Sequence, residues 1–177
     1  MIKERLNLDE RDLQILAWHM EDPQIPQQEI ASRLKLSQPS VNVRIQKLKE
    51  KGILSQYAGV NLNRTGLILV RVDFVAKDAA AVLEKMKGCP FFVNGFVMSG
   101  EKNASAYLIN DSLKKIDEII NHHLRADGSV SSIVSNVVVS AVKDHIVTMD
   151  MSAELRQAGC ISEGKCSSAG LCNKCVE

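Results

Sequence analysis

The sequence predicts an α+β chain in two parts, a small helical unit followed by a larger mixed one. Three observations carry this expectation. Between Asp9 and Gly52, apolar residues recur at helical spacing in three separate stretches. From Leu67 the period shortens to two, with Ile68, Val70, Val72 and Phe74 alternating with Leu69, Arg71 and Asp73. Between these regimes lies Asn61 to Gly66, a polar stretch that ends on glycine and reads as a linker.

The first helix is expected over Asp9 to Met20. Asp9 serves as its N-cap and Asp12, three residues on, completes an approximate capping box. Leu8 and Leu13 flank the cap at staple positions. Leu13, Leu16, Ala17 and Met20 form the inward face, with Trp18 and His19 off that stripe. Asp22-Pro23 stops the helix. A second helix carries Ile30, Ala31 and Leu34, and a tight turn follows at Leu36-Ser37. Ser37 caps a third helix by accepting a backbone N–H, and Pro39 sits in its first turn, where a missing donor costs nothing. Val41, Ile45 and Leu48 fall at i, i+4, i+7 and make its buried stripe, and Gly52 ends it. This is the helix-turn-helix pattern, with Ile53 to Val60 as a following strand or wing.

Beyond Gly66 the elements alternate. A strand from Leu67 is followed by a helix capped at Asp78, with Val82, Leu83 and Met86 inward and Gly88 as its stop. Strands over Phe91–Ser99 and Ala104–Asn110 flank a polar turn. Asp111 or Ser112 caps a helix carrying Leu113, Ile116, Ile119, Ile120 and Leu124, and Val130 to Val142 is the last strand. The order β-α-β-β-α-β is the ferredoxin-like arrangement. Leu67, Leu69, Val93, Val97, Ile133, Val137 and Val139 put apolar residues on both sides of several strands. An open apolar sheet face predicts self-association into a homodimer or higher homo-oligomer. The expected domains are therefore 1–60, a linker 61–66, 67–144, and a tail 145–177.

Charge indicates what the helical unit meets. Residues 33–64 carry seven basic side chains against Glu50 alone, whereas residues 1–32 carry three against seven acidic ones. A chain of net charge +1 thus concentrates positive charge on one element, as a phosphate-binding surface does. The outward residues of the third helix, among them Gln38, Ser40, Asn42, Arg44, Gln46 and Lys47, are hydrogen-bonding types suited to base edges and phosphates. Val43 faces away from the buried stripe, where it can meet a thymine methyl. A solvated basic helix in a plain three-helix bundle is the competing reading. Apolar runs are too short to span a bilayer, and the first residues lack the apolar core of a signal peptide, so a cytoplasmic, reducing setting and no membrane partner are expected.

That setting governs the tail. Cys160, Cys166, Cys172 and Cys175 fall within the last 18 residues, spaced C-x5-C-x5-C-x2-C in a polar segment too poor in apolar residues to fold alone. Four thiols there suit a soft metal, either zinc or an iron–sulfur cluster. A thiol switch and a tail without a site remain open. Cys89, in Gly-Cys-Pro, reads as a buried or incidental thiol, and His122, His123 and His145 lack spaced partners for a metal. No nucleophile elbow, P-loop or dinucleotide fingerprint is present.

The segment IASRLKLSQPSVNVRIQKLKEKGIL, preceded by LDERDLQIL and followed by a βαββαβ domain, resembles the Lrp/AsnC (feast/famine) transcriptional regulators over about residues 7 to 144. The resemblance implies a prokaryotic regulator that binds specific sites on double-stranded DNA, assembles through its C-terminal domain and responds to an amino acid or other small molecule. It assigns DNA contact to Ser37, Gln38, Pro39, Ser40, Asn42, Val43, Arg44 and Lys47. It places an effector site near Met98, Gly100, Asn103, Ser135 and Asn136, with a plain hairpin turn as the alternative. At this hairpin the chain keeps the family's glycine, Gly100, but not the Tyr-Asp pair that follows it in the family. The cysteine tail is also outside the family pattern. Siroheme decarboxylases resemble the same layout and make an enzyme the alternative function.

Overall fold

A computed structural model describes residues 2–149 and 151 of the chain. It divides between Tyr57 and Ala58 into two compact units.

The first unit holds four helices: α1 (Ile2–Arg5), α2 (Glu10–Glu21), α3 (Gln27–Leu34) and α4 (Gln38–Glu50). Asp9 caps α2 with a reciprocal box, its Oδ1 accepting the Asp12 N–H at 2.8 Å while Asp12 Oδ2 accepts the Asp9 N–H at 3.2 Å. The inward face of α2 differs from the expected one. Ile15, Leu16 and His19 are buried, Leu13 is half-buried, Ala17 is exposed and Met20 is 78% exposed. Apolar residues stand on two adjacent strips of this helix, and only one can face Ile25, Ile30, Val41 and Ile45 across the core. His19 tolerates burial because its ring Nδ1 donates to the Ile15 carbonyl oxygen, 2.9 Å away. Between α3 and α4 the chain turns through Lys35 in the left-handed region, φ 54°. Val41, Ile45 and Leu48 are the buried stripe of α4, and beyond it Gly52 at φ 66° reverses the chain so that the Ile53 and Leu54 N–H groups close on the Leu48 carbonyl.

Residues 53–59, expected as a strand or wing, form no strand. Leu54 turns into the helical core instead, with Ile53 packed against it. The first strand is β1 (Val60–Asn61), which belongs to the second unit and pairs antiparallel with β6 (Ile146–Val147). Gly59 makes that approach feasible, since a Cβ there would lie 2.7 Å from the Val147 carbonyl oxygen. Residues 61–66 are likewise not a free linker. They form the end of β1 and α5 (Leu62–Thr65), capped by the Asn61 side chain and ended by Gly66 in the left-handed region.

The remaining elements are β2 (Ile68–Ala76), α6 (Ala79–Met86), β3 (Phe92–Val97), β4 (Ala104–Asn110), α7 (Leu113–Ile120) running into a π-helical turn (Asn121–Arg125), and β5 (Val130–Val137). The sheet order is β3-β4-β2-β5, antiparallel throughout, which is the ferredoxin-like order. Val70, Val72 and Phe74 of β2 and Ala104, Ala106 and Leu108 of β4 pack under Val82, Leu83 and Met86 of α6 and Ile116, Ile119 and Ile120 of α7. Leu113 is 51% exposed rather than inward, because it starts α7 while the stripe from Ile116 onward already supplies the buried face. The strand expected over Val130 to Val142, β5, stops at Val137. Val138 still donates to the Leu69 carbonyl, but β2 begins at Ile68 and offers no ladder further on.

The second sheet face is less apolar than the alternation suggested. Arg71 lies between Tyr107 and Asn136 there, and Asp73 between Ser105 and Val134. Arg71 pairs with Asp73 at 2.9 Å, and the Ser105 hydroxyl donates to Asp73 at 2.8 Å. Leu67, Leu69 and Val93 are gathered with Ile109, Val147 and Met149 into a separate small cluster, and Ile133 packs with the helix-side core. Val97, Val137 and Val139 stay exposed.

Candidate nucleic-acid interface

Helix α4 presents its polar side outward because its apolar side is fixed by Val41, Ile45 and Leu48, none more than 2% exposed. Ser37, Gln38, Pro39, Ser40, Asn42, Val43 and Lys47 are all exposed, and Val43 is 66% exposed. The Ser37 and Ser40 hydroxyls bond each other at 2.8 Å across the first turn. Asn42 accepts from the Gln27 amide at 3.4 Å, so a residue of α3 also borders this face. The side chains of Gln38, Val43, Gln46 and Lys47 have no hydrogen-bond or ion-pair partner among the described residues. That leaves two amides, a methyl pair and an ammonium for an outside ligand.

Arg44 is placed differently from the rest. Its guanidinium Nη1 turns back onto the first turn of α2, 2.6 Å from Asp9 Oδ2 and 2.6 Å from Asp12 Oδ1. The side chain of Arg44 is 27% exposed and that of Asp12 17%. Burial would raise the Asp9 carboxyl, but the Asp12 N–H and the Arg44 guanidinium outweigh it and hold the group below its ordinary value. The Asp9 hydrogen bond, followed by that of Asp12, raises Arg44 above its own. The expectation that Arg44 projects toward DNA is therefore not met in this geometry. The sequence showed the capping box and the arginine separately, with nothing to signal that they meet.

The basic footprint narrows in the same way. Arg33 pairs with Glu29 and stacks over the Trp18 ring, 5.2 Å from its centroid. Arg64 belongs to the second unit. The exposed cations of the first unit after residue 34 are Lys35, Lys47, Lys49 and Lys51.

The five residues expected around an effector are not gathered into one cluster. Met98 and Gly100 are exposed at the turn between β3 and β4. Asn103 is half-buried and clamps the Ala76 backbone, accepting its N–H at 2.9 Å and donating to its carbonyl at 2.7 Å. Ser135 and Asn136 lie on β5, at the opposite edge of the sheet from β3. A cleft of about 400 Å³ between α5 and the segment after β5 is lined by Leu62, Asn63, Leu69, Val139 and His145, among others. Cys160, Cys166, Cys172 and Cys175 lie outside the described residues. Cys89 is a buried free thiol. No helix among the described residues is long and apolar enough to cross a membrane.

Comparison with known proteins agrees with this geometry. Residues 8–55 match the winged helix-turn-helix DNA-binding family. The chain is 28% identical over 140 residues to the HTH-type transcriptional regulator LrpA of Pyrococcus horikoshii, covering 77% of this chain and 99% of that protein. It is 26% identical over 147 residues to the leucine-responsive regulatory protein of Rhizobium meliloti, covering 79% of this chain and 94% of the relative. Among solved structures, E. coli AsnC superposes with a TM-score of 0.69 at 17% identity, covering 78% of this chain and 96% of AsnC. The chain thus carries a helix-turn-helix unit that matches a DNA-binding family, ahead of a ferredoxin-like domain, and this two-part fold is the one seen in AsnC.

Proposed function

We propose that the chain is a transcriptional regulator that binds specific sites on double-stranded DNA through α4. The observation that carries this reading is the outward face of that helix, where Gln38, Val43, Gln46 and Lys47 stand exposed beside further lysines. Amides and a methyl group read base edges, while ammonium groups meet phosphates. The relatives are named regulators, which favours this reading over the siroheme-decarboxylase-like alternative. The test uses the full chain and a duplex selected by it from a random-sequence pool. If each of the four exposed lysines meets one phosphate, log K falls with log salt at a slope of about −3 to −4 per protomer. A slope near zero, or equal affinity for any duplex, would count against the proposal.

Three finer features extend the reading. Exposed Phe96 and Val134, which the register places on the sheet face away from the helices, support self-association into a homodimer or larger homo-oligomer. An amino acid or other small molecule acting at the second unit would tune the output. The four tail cysteines supply thiolates for zinc or an iron–sulfur cluster, or act as a thiol switch. Replacing Cys172 and Cys175 by Ser is expected to abolish the metal content of anaerobically purified protein, read by metal and sulfide analysis. Equal loading of parent and variant would move the site away from the tail.

A further inference from the structure

We infer that Arg44 is a positioning residue, which sets the reading helix by clamping α4 to the capped first turn of α2 and makes no contact with DNA itself. This rests on the DNA-binding reading above. All four carboxylate oxygens of Asp9 and Asp12 have assigned partners. Asp9 Oδ1 and Asp12 Oδ2 close the capping box, and Asp9 Oδ2 and Asp12 Oδ1 both accept from Arg44 Nη1. The guanidinium is thus shared between two carboxylates that would otherwise repel each other across one helical turn. A single cation accordingly does two things. It makes a doubly acidic cap tolerable, and it ties the middle of α4 to the start of α2 at a point 35 residues away in sequence.

The consequence for recognition is geometric. The stripe of Val41, Ile45 and Leu48 is apolar and non-directional, so it fixes which face is buried more firmly than it fixes small rotations and sliding of the helix. Two hydrogen bonds of 2.6 Å from one nitrogen restrict both. Base readout needs the Gln38, Asn42 and Val43 side chains at set heights in the groove, so it depends on that restriction. Phosphate attraction by Lys47, Lys49 and Lys51 does not.

The two roles for Arg44 separate by experiment on the full chain, using the selected duplex and a scrambled duplex of the same length. For a positioning role, Arg44→Gln, Arg44→Lys and Asp12→Asn each lower affinity for the selected duplex about tenfold. Their salt slopes stay at the parental value, affinity for the scrambled duplex is unmoved, and Arg44→Gln combined with Asp12→Asn is no worse than either alone. Arg44→Lys keeps the charge and serves as the check against simple charge loss. If Arg44 contacts phosphate instead, Arg44→Gln lowers the salt slope by about one, Arg44→Lys behaves as the parent and Asp12→Asn is neutral or tightens binding. That result overturns the inference and leaves the DNA-binding reading standing. A parent that binds no duplex in a salt-dependent way overturns that reading, and the inference with it.

Discussion

Val43→Asp is expected to lower affinity for the specific duplex by about 100-fold or more while leaving the protein folded. The two halves of that result come from separate observations. Val43 is 66% exposed and lies opposite Val41, Ile45 and Leu48, so its side chain supports no packing. Exposed substitutions of this kind move stability by about 0.5 kcal/mol or less, and Val and Asp have similar helix propensities. In the groove the same change sets a carboxylate among phosphates and removes the methyl groups available to thymine. Like-charge juxtaposition at an interface costs several kcal/mol, and about 1.4 kcal/mol is a factor of ten in affinity. Val43→Thr keeps one methyl and the shape, and should lose only a few-fold by the same reasoning. Thermal melting, together with titration against the selected duplex, reads both halves. An unchanged melt with affinity within about threefold of the parent would remove α4's outward face from the DNA interface.

The contrast between Val43 and Arg44 shows how far the sequence reaches. Val43 was legible because its position follows from a local pattern. Ser37 and Pro39 start the helix, Gly52 ends it, and only Val41, Ile45 and Leu48 are spaced to be buried. Arg44 falls on the same helix with an equally clear angular position. Its side chain is long enough to go either way, and the carboxylates that capture it lie 35 and 32 residues away. The face of α2 was illegible for a related reason. Ile15, Leu16, Ala17 and Met20 cover two adjacent strips, and the choice between them is made by residues of other elements such as Ile25 and Val41. In the second unit, local signals located the four strands of the main sheet and the two helices that cover it, and gave their order. They missed the pairing of β1 with β6, which joins positions 60 and 147 and has no local signature. Asn61 to Gly66 misled because asparagine, threonine and glycine mark linkers and helix caps alike. Here Asn61 caps a helical turn and Gly66 ends it.

A core change in the second unit gives the largest expected loss of stability. Phe74→Ala removes a ring that is 0% exposed on β2, the strand paired on one side with β4 and on the other with β5. The surrounding core is mostly branched aliphatic side chains and alanines, joined by Met86 and Cys89, and it is closely packed, so the space left behind is filled only in part. Truncations of buried aromatic rings cost about 3–5 kcal/mol, a large share of the roughly 5–15 kcal/mol that stabilises a typical protein. With a urea dependence of about 2 kcal/mol per molar, the unfolding midpoint of this unit should fall by roughly 2 M. A fall under about 0.5 M would mean the ring is not enclosed as described. DNA affinity measured on the same variant adds a further distinction. Phe74 lies outside the helix-turn-helix unit, so the reading face keeps its chemistry. Under conditions where the variant is folded, intrinsic affinity per protomer should match the parent. If the chain self-associates through the sheet as proposed, any loss should appear at low protein concentration and disappear at high concentration, because it would arise from weakened association and not from lost contacts to bases. Val43→Asp has the opposite signature, a loss of affinity that no increase in self-association can restore.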